Sequence, residues 1–135
     1  MHETTIKVRA TDLDIIGHVN NAKYLEYLEW ARWEWAQSMN WTLDTIRKEK
    51  KSPAVVRIAI NFKRELSFPE TIVVQTKVQE IAGKTVTIHQ EIYKESGELA
   101  ADAEIVWILM DLVTRRSIEI PDEMRAKFLA DKSGT

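Results

Sequence analysis

Between residues 11 and 24 the chain reads TDLDIIGHVNNAKY, which sets two aspartates, a glycine, a histidine and two asparagines just ahead of a long helical run. Residues of these types can bind a cation, cap a helix, or hold a carboxylate against a carbonyl group. The cation reading fails on spacing. Asp12, Asp14 and Gly17 stand where a calcium loop of the EF-hand kind has its first, third and sixth positions. Ile16 then falls at the fifth, where its side chain cannot ligate, and Lys23 at the twelfth, where a bidentate Glu is required. His2, His18 and His89 lack zinc-site spacing, and the chain has no cysteine to join them.

Capping needs one or two short polar side chains, because a helix start has only a few unpaired amides within their reach. Here Asp12, Asp14, Gly17, His18, Asn20 and Asn21 crowd into ten positions, more than one cap requires. No G-x-S-x-G, phosphate-binding loop, G-x-G-x-x-G or H-E-x-x-H motif occurs. Hydrolytic chemistry would therefore fall to a carboxylate assisted by backbone. A carbonyl oxygen placed against the free N–H groups of the helix start would be polarised, and a nearby carboxylate could attack the carbon or activate a water. Residue types alone leave capping and catalysis both open.

The elements that must position this cluster follow from periodicity. TTIKVRA at 4–10 alternates Ile6 and Val8 against Lys7 and Arg9, the pattern of a half-buried strand. From Ala22 to about Met39 the period becomes helical: Tyr24, Leu28, Ala31 and Trp35 share a stripe that Leu25 and Tyr27 broaden, with Asn21 expected as N-cap. Glu29 and Arg32 are spaced to pair on the helix surface. Thr42 is expected to cap a short helix, LDTIRKEK. From Pro53 the period is two, through PAVVRIAINFKREL (with Val56, Ile58, Ile60 and Phe62 on one face), TIVVQTKVQEI, KTVTIHQEIYK, LAADAEIVWILMDLV and RSIEI. Pro121 opens a terminal helix. Consecutive strands joined by tight turns imply an antiparallel sheet covered by a long helix, an α+β two-layer domain spanning residues 1–135. Tryptophans at 30, 33 and 35 on several sides of that helix leave apolar surface over, so a homo-oligomer is expected.

The bulk numbers exclude some partners. A net charge of −2 argues against nucleic acid, which asks for a basic excess. No apolar run approaches bilayer length, the N-terminus lacks a signal-peptide core and cysteine is absent, so a cytoplasmic protein without membrane insertion is expected. Arg57, Lys63, Arg64, Arg115 and Arg116 are cations of the type that meets phosphate, although solvated strand faces carry such charges anyway.

D-x-D-x-x-G-H-V-N-N-A-x-Y followed by L-E-x-x-E-x-A-R resembles the active-site segment of hotdog-fold acyl-CoA thioesterases of the 4-hydroxybenzoyl-CoA thioesterase type. Within them the chain is most similar to the bacterial long-chain acyl-CoA thioesterase branch called FadM, densely over IKVRATDLDIIGHVNNAKYLEYLEWARW and more sparsely through VVRIAINFKREL to VWILMDLVTRR. The resemblance implies a curved antiparallel sheet wrapped around one long central helix. It implies Asp14 as catalytic carboxylate, either general base or nucleophile, and Asn21 as the residue whose backbone N–H polarises the thioester carbonyl. Some relatives carry His at the position of Asn21, so the asparagine departs from them. Gly17, His18, Asn20 and Tyr24 match positions that shape the substrate site, and Asp12 is a candidate for a structural role. The implied substrate is an acyl-CoA, with no metal or redox cofactor, and the implied assembly is a homodimer or homotetramer with the site at a subunit interface. An acyl-carrier-protein thioesterase and a non-catalytic acyl-CoA-binding domain are the alternatives.

Overall fold

The alternating segments become strands and the helical stripe becomes a helix. In a computed structural model, which describes residues 1–134, the order is β1 (His2–Lys7), α1 (Asn21–Ser38), α2 (Leu43–Glu49), β2 (Lys51–Phe62), β3 (Thr71–Ala82), β4 (Thr85–Tyr93), β5 (Leu99–Asp111), β6 (Ser117–Ile118) and α3 (Asp122–Ser133). The strands form one antiparallel sheet in the order β1-β3-β4-β5-β2, with β6 beside β5. β1 and β2 are therefore its edges.

One face of the sheet is buried, and the register shows why. Val78 opposes Ile88 and Ile88 opposes Ile105, so apolar side chains of three strands form rows on the same side. Ile72, Val74, Ile92, Ala103, Trp107 and Leu109 extend those rows. β2 departs from the simple alternation expected of it. A bulge between Val55 and Arg57 leaves Val56 without a partner on β5. Val55 opposes Trp107 before the bulge, and Ile58, Ile60 and Phe62 oppose Ile105, Ala103 and Ala101 after it. Val56 thus drops out of the expected row and Val55 joins it.

The three helices expected from the spacing accompany the sheet, α1 with 18 residues, α2 with 7 and α3 with 12, where the resemblance implied one long central helix. The expected stripe of Tyr24, Leu28, Ala31 and Trp35 is buried, and α1 packs over β1 and β3. Thr42 caps α2, its Oγ1 accepting from the Thr45 N–H at 3.3 Å. α3 is held by aromatic contact, Phe128 stacking on Trp35 with centroids 5.8 Å apart. Asp131 adds a polar lock, accepting the Val78 N–H at 2.7 Å beside the β3 bulge and the Trp35 indole N–H at 3.3 Å. Among the described residues no helix is long and apolar enough to cross a membrane.

Candidate active site

The polar cluster folds into a loop that returns on itself before α1 begins. A short 3-10 turn, Ala10–Asp12, is followed by an isolated antiparallel bridge between Leu13 and Val19. The Asp14 N–H donates to the His18 carbonyl at 2.7 Å and the Gly17 N–H to the Asp14 carbonyl at 3.1 Å. Gly17 takes φ +93°, a left-handed conformation open to glycine and strained for other residues, and nothing lies where a Cβ would point. Its role is the bend.

That bend aims the Asp14 carboxylate. Oδ1 accepts the backbone N–H groups of Ile16 at 2.9 Å and His18 at 3.2 Å. Oδ2 has no hydrogen-bond partner among the described residues. One oxygen is thus pinned by local backbone and the other is not.

The helix start differs by one residue from the sequence expectation. Asn20, not Asn21, is the N-cap: its φ and ψ are extended and its side-chain oxygen accepts the Ala22 N–H at 2.9 Å. Two asparagines in succession offer equivalent caps. The Asn20 N–H is drawn to the Asp12 carbonyl at 2.9 Å, which fixes Asn20 outside the helix and leaves Asn21 as its first residue. The Asn21 N–H then belongs to the unpaired group every helix carries at its start, and it has no partner among the described residues.

Asp12 is an anchor. It is only 3% exposed, and its Oδ2 accepts the Tyr27 hydroxyl at 2.7 Å and the Arg9 N–H at 3.0 Å. Burial alone would raise its pKa; the Tyr27 and Arg9 hydrogen bonds, with Lys23 at 3.8 Å, outweigh burial and hold the carboxyl below its ordinary range. Burial and the same carboxylate push the Tyr27 hydroxyl far above its ordinary value.

The opposite wall comes from a segment some forty residues later. The Val19 N–H donates to the Leu66 carbonyl at 3.1 Å. The Tyr24 hydroxyl donates to the Arg64 carbonyl at 3.0 Å and accepts the Leu66 N–H at 3.1 Å. Its ring meets Phe62 edge-on, with centroids 5.1 Å apart. Together these elements enclose a cleft of about 310 Å³, lined on one side by Asp14, His18, Asn21 and Tyr24 and on the other by Phe62 to Glu65. Gly17 and Asn20 do not line it; they shape the turn and the cap that do. His18 Nε2 stands 3.1 Å from a Glu65 carboxylate oxygen across the mouth. Phe62 and Glu65 carried no chemical signal in the sequence, since only the fold brings the end of β2 to the start of α1.

Charged residues singled out elsewhere find partners within the fold. Arg57, Lys63 and Arg64 each pair with a carboxylate, of Glu104, Asp102 and Glu98 respectively. His89 stands 3.7 Å from Glu91 on a half-buried strand position. Arg32 does not form the expected surface pair with Glu29 but turns inward, donating to the Gln90 side-chain oxygen at 3.0 Å.

Comparison with known proteins adds a family. The thioesterase-like superfamily matches residues 8–128. The long-chain acyl-CoA thioesterase FadM of Escherichia coli (strain K12) is 34% identical over 126 residues, covering 93% of this chain and 95% of that protein. The acyl-CoA thioesterase YbgC of Haemophilus influenzae is 28% identical over 124 residues, 91% of this chain and 90% of its own. Among solved structures, YbaW from Escherichia coli superposes with a TM-score of 0.83 at 33% identity, covering 97% of this chain and 98% of its own.

Proposed function

The chain belongs to the thioesterase-like superfamily and is a thioester hydrolase, and we propose that it converts a fatty acyl-CoA to the free acid and CoA. The observation that carries this reading is the pairing, in one cleft, of a carboxylate oxygen and a helix-start amide that both lack a partner among the described residues. A thioester carbonyl set between them has its oxygen against the Asn21 N–H and its carbon toward Asp14 Oδ2.

Two routes use this arrangement. As general base, Asp14 removes a proton from water, the hydroxide adds to the carbonyl carbon, and the oxyanion forms against the Asn21 N–H and the positive end of the α1 dipole. Collapse breaks the carbon–sulfur bond, and the CoA thiolate recovers the proton held by Asp14. As nucleophile, Asp14 Oδ2 adds to the carbon and expels the thiolate, giving an anhydride that water then cleaves. Single turnover in heavy-oxygen water separates the two, since only the nucleophilic route can leave label in the Asp14 carboxylate. Neither route calls for a metal or redox cofactor.

The hotdog arrangement, with the sheet curved around α1 as its central helix, belongs to the same reading. So does a homodimer or homotetramer. β2 is an edge strand of twelve residues carrying Val55, Val56, Ile58 and Phe62 exposed, and Ile15 and Ile16 project from the catalytic loop into solvent. An apolar edge of this length invites pairing with another copy.

The test is release of CoA thiol by wild type and Asp14→Asn. A fall of at least a hundredfold is expected, and undiminished turnover in the variant removes Asp14 from the reaction. The same acyl group presented on acyl carrier protein separates the two thioester classes.

A further inference from the structure

A second cleft, of about 150 Å³, lies further along α1, lined by Trp33, Trp41, Trp107 and Val55 together with Glu29 and Arg32. Its polar content is unusual for so aromatic a setting. Gln90 is fully buried beneath it, and both hydrogens of its amide nitrogen are used, on the Leu28 carbonyl and the Thr76 hydroxyl, each at 3.0 Å. Its oxygen takes a single hydrogen bond from Arg32 Nη1. A guanidinium has five N–H donors, so most of those on Arg32 remain available. No carboxylate lies within ion-pair distance of it among the described residues, and Glu29 acts only from further away. Burial lowers the Arg32 pKa, the mark of a charge removed from water without full compensation.

This cleft and the thioester site draw residues from the same two elements, α1 and β2. Asn21, Leu25, Glu29 and Arg32 follow at intervals of four, four and three residues, so they share one stripe of α1. On β2, Phe62, Ile60, Ile58 and Val55 face the same side; Phe62 lines the Asp14 cleft and Val55 the second one. From Asn21 to Arg32 the helix rises about 17 Å. An extended chain covers ~3.6 Å per three bonds, so roughly fourteen bonds span that distance.

Resting on the thioesterase reading above, we propose that Arg32 is a specificity residue for the far end of the acyl chain. Its guanidinium donates to an oxygen carried there, and Glu29 accepts from the same group. A hydroxyl satisfies both. A terminal methyl would offer no acceptor to the remaining N–H donors of Arg32, and a terminal carboxylate would suit Arg32 but face the charge of Glu29. The substrate class is thus a long acyl-CoA with a hydroxyl remote from the thioester.

The experiment compares three CoA thioesters of equal chain length, spanning about fourteen bonds as above and ending in methyl, hydroxyl or carboxylate. For wild type the hydroxyl-ended ester should exceed the methyl-ended one about tenfold in kcat/KM, with the carboxylate no better than the hydroxyl. Arg32→Met should bring the hydroxyl-to-methyl ratio close to unity, and Arg32→Lys should keep part of the preference. If Arg32 only ties α1 to the sheet, its loss lowers all three rates together and leaves the ratio as in wild type; that result overturns the proposal. So does a wild-type enzyme that handles the methyl-ended ester equally well, or one that prefers the carboxylate. Should Arg32→Met fail to fold, the wild-type panel and Arg32→Lys decide. Quenching of tryptophan fluorescence by the free hydroxy acid and the free plain acid gives a readout independent of turnover. Tighter binding of the hydroxy acid without thiol release from any ester would overturn the hydrolase reading and leave the cleft assignment standing. Thiol release with no preference in either assay would overturn the cleft alone.

Discussion

The Tyr27 hydroxyl donates a 2.7 Å hydrogen bond to the Asp12 carboxylate, tying the second turn of α1 to the loop that introduces it. The acceptor is a buried charge, so the bond matters more than one at the surface. Replacing Tyr27 with Phe keeps the ring's packing and removes the donor, which leaves Asp12 with the Arg9 amide and a distant Lys23. Losing a partner of a buried carboxylate costs about 2 kcal/mol. Calorimetry on Tyr27→Phe should show a melting temperature lower by roughly 5–10 °C; an unchanged value would deny the bond its role.

Acid should act on the same loop and on one other point. Glu70 accepts the Ser67 amide at 2.9 Å and the Glu95 amide at 3.0 Å, with Lys94 at 3.4 Å. Burial raises its pKa, but these contacts outweigh burial and hold it below the ordinary 4.5; Asp12 lies likewise below its ordinary 3.8. A carboxyl depressed in the fold favours the fold most when both folded and unfolded chains are ionised. That stability is therefore complete above about pH 4.5, begins to fall once the unfolded chain takes up protons, and is lost as pH passes below the folded values. Urea midpoints between pH 6 and pH 3 should drop accordingly, and Glu70→Gln should flatten the fall. A midpoint independent of pH across that range would contradict both assignments.

What could be read from the residues and what could not divide along sequence distance. Periodicity placed every strand within a few residues and found the buried stripe Tyr24, Leu28, Ala31 and Trp35, because burial on one face imposes that spacing. The cap shifted from Asn21 to Asn20 because two equivalent side chains compete and a backbone bond to Asp12 decides. The bulge at Val56 was invisible, since a bulge moves the phase of a strand without changing its composition. Phe62 and Glu65 at the cleft, Tyr27 on Asp12 and Gln90 beneath Arg32 all depend on contacts that only the folded chain makes.

Gly17 offers a sharper division between stability and function. Space for a methyl group exists there, so Gly17→Ala meets no clash, only the strain of φ +93°. That strain costs about 1–2 kcal/mol. Relaxing it shifts the Ile16 and His18 amides that grip Asp14 Oδ1, and a small misplacement of a reacting group can lower rates about a hundredfold. We predict a modest fall in melting temperature beside a fall in kcat larger than tenfold. Loss of stability with kcat intact would show that the turn does not aim the carboxylate.

The most selective probe of the site is Asn21→Pro. Asn21 is the first residue of α1, where proline is well accepted because that amide has no helical partner and φ is already suited. Asn20 ahead of it sits at φ −61° and ψ 137°, the extended conformation a following proline demands. The substitution therefore removes one N–H while keeping the Asn20 cap and the Asp14 turn. If that N–H holds the developing oxyanion, kcat falls about 10²–10³-fold at nearly unchanged stability. Asn21→Ala, which keeps the N–H and loses only the side chain, should retain turnover within roughly threefold of wild type. Equal activities of the proline and alanine variants would move the oxyanion away from the start of α1.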